Sequence, residues 1–595
     1  MNFFKPSQPY VFLETLRFDQ ENRSSFLFYD FVDQLKFYPG DNPEKFFKKA
    51  EAYLDKGFWL SGYFSYEFGY CLEPALRKLV KKNRQPLAWL GVSKKPKNIS
   101  KRGRLAEFFT GPAGNYQILN LRPNISRSDY LEQIKKIKSY LEQGFGYQVN
   151  FTFKVKFDFS GSPLACYLNL RRSQPSSYAA LINTGQSQVI SLSPELFFRI
   201  NGRQIIARPM KGTIKRGLTI AEDERLKQEL KLSPKTKAEN IMIVDLLRND
   251  LGRIAKKISV SKLFEVEPYR TLHQMTSTIN GRLKNNLRLK ELFSSLFPSG
   301  SVTGAPKIKT MQIIDQLEKE PRGIYTGAIG YISPKRESCF NVAIRTLSFK
   351  DGHGEMGVGG GIVYDSLGSA EYQEALLKAK FFVEGFPELK LIETLLLANG
   401  RYSFLNQHLE RIKRSSGYFS IPLDIAKIKA ALNKAALSKK GKFKVRLLLD
   451  LEGKVEVEVK PLEEISGRPR VMIASQRIDP GNRFLYHKTT QRSRYDLERK
   501  KALKQGFFEV IFLNTRGELT EGSISNIFIL KGKTLYTPPL ACGLLPGVLR
   551  EHLLKSGKAK EKILYRQDLL TADKVYIGNS LRGLMLCVPE DLSTD

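Results

Sequence analysis

The chain has 595 residues, 42% of them hydrophobic and 26% charged, the composition of a globular protein rather than a disordered one. At roughly 100–200 residues per domain, that length calls for two to four domains. Lys and Arg number 96 against 60 Asp and Glu, a formal net charge of +36, but both signs are mixed along the whole chain.

No helix-turn-helix pattern, aromatic RNA-binding signature or basic tail accompanies the charge, so no nucleic-acid partner is expected. The surplus suits attraction of an anionic substrate or an acidic partner subunit. Cys71, Cys166, Cys339, Cys542 and Cys587 are scattered and odd in number. That argues for a reducing compartment and, with five scattered His, against a disulfide framework or a zinc cluster. The segment Met1–Pro6 has no basic stretch leading into an apolar one. No run reaches the ~18 apolar residues of a membrane helix. A cytoplasmic protein without membrane contact is expected.

In chain order, the first hundred residues read as strands and short helices, and Ser93–Arg104, rich in Lys, Pro and Gly, as a solvated connection. A helix follows, capped by Ser128, with Tyr130, Ile134, Ile137 and Leu141 on one face before Gly144. From about Tyr147 to Phe198 the pattern is mostly strand. Ala238–Leu251 is predicted as a second helix closed by Gly252, and Ala370–Val383 as a third. Gly385-Phe386-Pro387 breaks that pattern and marks the main boundary. It separates residues 1–385, with an N-terminal part over 1–105 and a catalytic part over 125–385, from residues 386–595. Beyond it come a strand over Leu389–Leu397 and an Asn399-Gly400 hairpin.

Several residue groups carry chemistry. Glu371, Glu374 and Lys378 share one helix face; they are either a cation and anion site or a solvated ion-pair face. Glu239 heads an otherwise apolar helix face, as a dipole residue or as an inward ligand. The loop Ser299–Lys307, including Thr303 and Gly304, runs small residues into a helix start that either binds a carboxylate through backbone N–H groups or binds nothing. It lacks the Gly-Lys-Ser/Thr ending of a phosphate loop. Gly357–Gly361 allows close backbone approach to a ligand. In the last third, Thr520–Phe528 is a polar turn between strands, and Lys488 alone is one lysine among many.

Taken in order, Pro209-Met210-Lys211-Gly212-Thr213, Ala238-Glu239-Asn240, Leu247–Gly252, Ser299–Lys307, Ala343-Ile344-Arg345-Thr346 and Gly359-Gly360-Gly361-Ile362-Val363 resemble the chorismate-utilising enzymes over about residues 9–385. The resemblance implies that Glu239, Glu374 and the adjacent Glu371 bind Mg2+, a Lewis acid for loss of the 4-hydroxyl of chorismate. It implies Glu195 as general acid and His273 as a further active-site residue. Substrate carboxylates would fall to Tyr325, Arg345, Lys378, Thr303, Gly304 and the Gly359, Gly360 and Gly361 backbone. Lys211 would be the residue that decides the product: aminodeoxychorismate synthases usually carry Lys there, anthranilate synthases Ala. A neutral Lys211 would attack ring carbon 2, and ammonia would then add at carbon 4. No Cys lies in a nucleophile-elbow context, so the ammonia is expected from a separate glutamine amidotransferase subunit.

Glu393-Thr394-Leu395, His408-Leu409-Glu410-Arg411, Lys488-Thr489, Glu521–Asn526, Gly543–Gly547 and Gly578-Asn579-Ser580 resemble the fold-type IV pyridoxal-phosphate enzymes over about residues 389–590. The resemblance implies Lys488 as the Schiff-base lysine and Glu521 as partner of the pyridine nitrogen. Arg411, Ser580 and the Val548 backbone would hold the phosphate, and a homodimer through this region is implied. Leu549 stands where transaminases often use Thr, which favours a lyase. The fold class expected is α+β: a large two-sheet chorismate-binding fold with surrounding helices, then a smaller α+β pyridoxal-phosphate domain. Joined, the two regions would make p-aminobenzoate for folate. Anthranilate synthase fused to a class IV aminotransferase, and a synthase with a non-catalytic docking tail, remain open at this stage.

Overall fold

A computed structural model describes residues 8–17, 21–82, 85–99 and 114–590. They form two compact units. One holds the described residues up to Lys215 together with Lys227–Phe386; the other holds Arg216–Leu226 and the described residues from Pro387 onward. Both mix helices and sheets, in keeping with the α+β expectation. No helix among the described residues is long and apolar enough to cross a membrane.

The first unit is built on two ten-stranded sheets. A 14-residue strand shows how one face of a sheet is buried. Gln148–Gly161 places Phe151, Phe153, Val155, Phe157 and Phe159 at every second position, all buried, so one face turns to a core. Helices Arg127–Glu142 and Gly368–Glu384 cover that face: Tyr130 and Tyr372 meet Phe153 with ring centroids 5.6 and 5.7 Å apart. The second sheet buries Phe37, Phe64, Phe198 and Phe340 against helices Pro43–Asp55, Pro234–Gly252 and Leu289–Leu296. Phe64 and Phe293 lie 4.4 Å apart there. Truncating such a ring costs ~3–5 kcal/mol. Between the sheets, Val11, Phe28, Ile182 and Val189 of one meet Tyr63, Trp89 and Ile329 of the other.

Three expectations are corrected here. The first hundred residues do not stand apart from the catalytic part. Strand Tyr10–Glu14 pairs on one edge with Tyr178–Asn183, and Trp59–Phe64 with Ala328–Ile332, because the backbone donors and acceptors of that edge find their partners in strands that come much later in the chain. Of the expected connection, Ser93 ends the strand Ala88–Ser93, and Lys97–Ile99 pairs with Ser25–Phe28; Ser100–Arg104 lie outside the described residues, as does Met1–Pro6. The first long helix is capped by Ser126, not Ser128: Ser126 Oγ accepts from Asp129 N at 3.1 Å. The stretch Tyr147–Phe198, read as mostly strand, is mostly strand, with helix Pro163–Ser173, opened by Ser162 and Pro163, inside it.

The second unit has a four-stranded antiparallel sheet (Leu391–Ala398, Arg401–Tyr402, Lys442–Leu449, Val455–Pro461) and an eight-stranded mixed sheet. Asn399 and Gly400 take φ of 48° and 78°, the left-handed pair a two-residue hairpin needs. In the larger sheet, Leu519–Gly522 pairs with Asn526–Lys531 as well as with Glu509–Leu513, closing six strands into a ring. Arg216–Leu226, inside the region read as 1–385, packs with the second unit. Leu218 packs on the cluster formed by Leu485, Tyr486, Tyr495 and Phe512, and Arg216 bonds to the Tyr418 carbonyl.

Candidate active sites

In the first unit, a cavity of about 330 Å³ is lined by Glu195, Lys211, Glu239, Tyr325, Arg345, Gly359–Gly361, Glu371, Glu374 and Lys378. Local structure aims each of them. Lys211 lies in strand Met210–Lys215, where the register slips between Met210 and Thr213. Gly212 there has φ +88°, and a Cβ on it would sit 2.0 Å from the Thr236 side chain. Such a bulge re-aims a side chain, and a Cβ added to Gly361 would come within 2.8 Å of Lys211 Nζ. Burial lowers the Lys211 pKa, Lys378 lowers it further, and Glu239, Glu195 and Glu374 work in the opposite direction.

Glu195 follows strand Gln188–Ser193 and is 3% exposed. Burial pushes its carboxyl up to about 7, against the pull of Ser301 and Lys211; Ser301 Oγ donates to Oε1 at 2.6 Å. A carboxyl with that pKa is protonated in a large fraction of molecules near neutral pH and can give its proton away. Lys378 Nζ donates to the Gly359 carbonyl at 2.9 Å and pairs with Glu374 at 2.9 Å. Burial lowers the Arg345 pKa to about 10, so a desolvated cation faces the cavity and favours an anionic ligand. Tyr325 packs where a Gly357 side chain would otherwise stand.

Glu239, Glu371 and Glu374 share this cavity, and the Glu374 charge raises the pKa of both others, after burial. An all-carboxylate, mutually repelling set fits a hard divalent cation such as Mg2+, which takes one or two carboxylates and fills its octahedron with water and substrate oxygens. No cage of three or more His, Cys, Asp or Glu exists among the described residues.

Three expected residues are placed elsewhere. His273 is buried, but its neighbours Leu272 and Gln274 line the cavity and it does not, because successive strand residues face opposite ways. Thr303 and Gly304 do not reach it either. Thr303 Oγ1 donates back to the Ser299 and Gly300 carbonyls, and Gly304 pairs with Val149. The loop contributes Ser301 and Val302 instead. Two other motif residues, Asp250 and Lys307, pair with each other at 2.5 Å. The sequence reading missed Lys235, Asn150, Thr213 and Ser301. Lys235 had a signal: it stands four residues before Glu239 on one helix, and its charge lowers the pKa of Glu239, Glu371 and Glu374.

In the second unit, another cavity of about 330 Å³ is lined by Lys488, Glu521, Arg411, Val548 and Ser580, among others. Lys488 is brought down to about 7, first by burial and then by Arg411 and Arg492. Glu521 rises to about 8 through burial; Tyr495 Oη donates to one oxygen and Asn526 Nδ2 to the other, each at 3.2 Å. Arg411 is held flat by Glu393 through Nε at 2.9 Å and Nη2 at 2.6 Å, and His408 Nδ1 lies 2.6 Å from the same carboxylate. The Arg411 guanidinium, with the His408 hydrogen bond, holds Glu393 down at about 2 despite burial, so the Glu393 and His408 motifs act by fixing Arg411. Val548 opens helix Val548–Lys555 after Gly547, leaving unpaired N–H groups for an anion. An amine lowered by desolvation, an anion-ready helix end with Arg, and a carboxyl shielded from water fit pyridoxal phosphate. Tyr495, Asn526, Arg492, Lys444 and Arg446 also line this cavity and were not anticipated.

Comparison with known proteins follows the same division. Residues 9–384 match the chorismate binding enzyme family and residues 390–588 the amino-transferase class IV family. Aminodeoxychorismate synthase component 1 of Klebsiella aerogenes is 41% identical over 259 residues, covering 43% of this chain and 57% of that protein. Anthranilate synthase component 1 of Aquifex aeolicus is 38% identical over 263 residues, 44% of this chain and 53% of that one. The chloroplastic probable aminodeoxychorismate synthase of rice is 42% identical over 262 residues. The chain thus spans between 29% and 57% of the length of these curated relatives. Among solved structures, anthranilate synthase component I of Streptococcus pneumoniae superposes with a TM-score of 0.53 at 27% identity, covering 61% of this chain and 93% of that one. The chain belongs to the chorismate binding enzymes and carries, after that region, a stretch of the amino-transferase class IV family.

Proposed function

We propose that the first region, ending near Gly385, aminates chorismate to 4-amino-4-deoxychorismate, and that the second eliminates pyruvate from that product to leave p-aminobenzoate. The observation that carries the reading is Lys211, half-buried and with its pKa lowered by desolvation, in the same cavity as Glu195, whose carboxyl is raised to about 7, and the carboxylates of Glu239, Glu371 and Glu374. Lys211 in its neutral form attacks ring carbon 2 while the bond from carbon 4 to its hydroxyl breaks. Glu195 supplies the proton that lets the hydroxyl depart as water. Ammonia from a separate glutamine amidotransferase subunit then bonds at carbon 4, and the bond to Lys211 breaks. Arg345, Lys378 and the Gly359–Gly361 backbone hold the substrate carboxylates. Glu239, Glu371 and Glu374 are the residues that would hold Mg2+, which supplies Lewis acidity when bound.

In the second region, Lys488 would anchor pyridoxal phosphate and serve as the base that moves the ring proton of the substrate, and Glu521 would face the pyridine nitrogen. Arg411, Ser580 and the Val548 N–H would hold the phosphate. When bound, the cofactor supplies an electron sink. The two reactions fit end to end, since the product of the first is the substrate of the second.

The test is chromatography of reactions with chorismate, Mg2+ and ammonium, with and without added pyridoxal phosphate. p-Aminobenzoate should be the product with the cofactor, and Lys211→Ala should lower amination by on the order of 10³-fold or more. Anthranilate as the main product would refute the reading, a real alternative given the likeness to an anthranilate synthase.

A further inference from the structure

Eleven residues that lie inside the chorismate-family stretch, Arg216–Leu226, pack with the second unit. They leave the first unit five positions after Lys211 in the chain. The segment is tightly tied to itself. Arg216 grips Asp223 with two parallel bonds, Nε to Oδ1 at 2.7 Å and Nη2 to Oδ2 at 2.6 Å, and both residues are under 9% exposed. Gly217 N and Leu218 N donate to Asp223 and Glu222. A side chain on Gly217 would strike the Asp223 backbone at 2.2 Å.

The segment's outward contacts converge on the second cavity. Arg216 Nη1 donates to the Tyr418 carbonyl at 2.8 Å, the guanidinium lies 4.3 Å from the Tyr418 ring centroid, and Tyr418 Oη donates to the Gly217 carbonyl at 2.8 Å. On Tyr418 rests the ring of His487, 4.3 Å away, which Phe419 also touches and Ser415 anchors at 3.0 Å. His487 lines the cavity and immediately precedes Lys488. Leu218 meanwhile packs on the cluster containing Tyr495, the residue that donates to Glu521.

We propose that Arg216 is a positioning residue of the second cavity: it clamps Tyr418 beneath His487 and thereby holds the backbone from which Lys488 projects. The inference deepens the reading of Lys488 as the cofactor lysine and rests on it. It also means that residues of the second cavity are backed by a segment the class IV family stretch, residues 390–588, does not contain.

The test uses the full chain loaded with pyridoxal phosphate and reads visible circular dichroism of the bound cofactor, which reports its fixed orientation, beside kcat and KM for pyruvate release. Arg216→Ala should cut the dichroic signal by about half or more and lower kcat by on the order of 10²-fold with KM little changed, the signature of a misplaced group rather than a lost substrate contact. Arg216→Lys keeps the charge but not the planar fork and should fall between. Arg216→Ala strands a buried Asp223, so the paired replacement Arg216→Met with Asp223→Leu serves as the folded comparison, since apolar pairs often substitute for buried ion pairs without loss of stability. Tyr418→Leu removes the ring between guanidinium and imidazole while sparing the ion pair, and should reproduce the loss. Wild-type dichroism and kcat in the paired variant or in Tyr418→Leu would overturn the inference. Lys488→Ala separates the two ideas: a cofactor band that survives it sinks the reading of Lys488, whereas a band lost there and kept fully oriented in the Arg216 variants sinks the role of Arg216 alone.

Discussion

Ser301→Ala should move the pH dependence of amination upward while leaving the fold intact. Burial raises the Glu195 carboxyl from 4.5 to about 7, a rise of about 2.5 units, or ~3 kcal/mol against the ionised form. Ser301 opposes that rise by donating to Oε1 at 2.6 Å, and the Met210 backbone also donates. A hydrogen bond to a charged group contributes ~1.5–3 kcal/mol, and with Met210 still donating the lower end applies, so the carboxyl should climb by about one more unit. The sign follows from the role. Glu195 must be protonated to release the hydroxyl, so the rate falls about tenfold per pH unit above its pKa. The descending limb should therefore shift from about pH 7 in the parent to about pH 8 in Ser301→Ala. Glu195→Gln should abolish that limb and lower kcat by ~10²–10⁴-fold. The assay is chromatographic amination rate against pH with Mg2+, the ammonium concentration adjusted at each pH to constant free ammonia. A limb that stays in place in Ser301→Ala, or persists in Glu195→Gln, would show that another group titrates.

Gly361→Ala introduces a Cβ 2.8 Å from Lys211 Nζ and 2.6 Å from Gln148 Nε2; amination should drop by about 10²-fold with an unchanged thermal unfolding curve. Lys488, at about 7 because of burial and two arginines, must be neutral to take up cofactor, so the rate of pyridoxal-phosphate loading should rise about tenfold per unit up to pH 7 and level off above it, followed by absorbance in cofactor-free protein. Arg411→Met removes the two bonds to Glu393 and leaves its carboxylate buried beside His408, which should cost ~3–5 kcal/mol in denaturant unfolding of the second unit. In the parent, Glu393 is depressed to about 2, so its contribution is present above pH 4.5 and is lost as the pH falls towards 2.

Much of the site was legible because it is local. Glu371, Glu374 and Lys378 fall on one face of a single helix, and the Asn399-Gly400 turn is set by the φ values its two residues accept. The motif resemblance located Lys211, Glu195, Glu239 and Arg345, all of which line one cavity. Ser301 was not separable from its neighbours. All of Ser299–Lys307 reads as a flexible small-residue loop, and only its internal bonds and the pairing of Gly304 with Val149 decide which side chain reaches Glu195. His273 is absent from the cavity lining for a related reason: a motif fixes a position in the chain but not the face it takes, and strand pairing puts Leu272 and Gln274 towards the cavity. The Glu393–Arg411–His408 interlock joins two motifs that look independent until the strand and helix bearing them are packed.

What residue types and their order settled was chemistry and class: two family stretches, with an amine and carboxylates in the first and an amine and a carboxyl in the second. Those depend on covalent identity and short-range spacing. Tertiary structure alone decided where each group's charge is solvated and what stands against it. The lowered lysines, the raised Glu195 and Glu521, the merging of the first hundred residues into both sheets, and the docking of Arg216–Leu226 all come from contacts between residues tens to hundreds of positions apart. Burial and strand pairing are properties of the packed chain, and no local pattern encodes the partner.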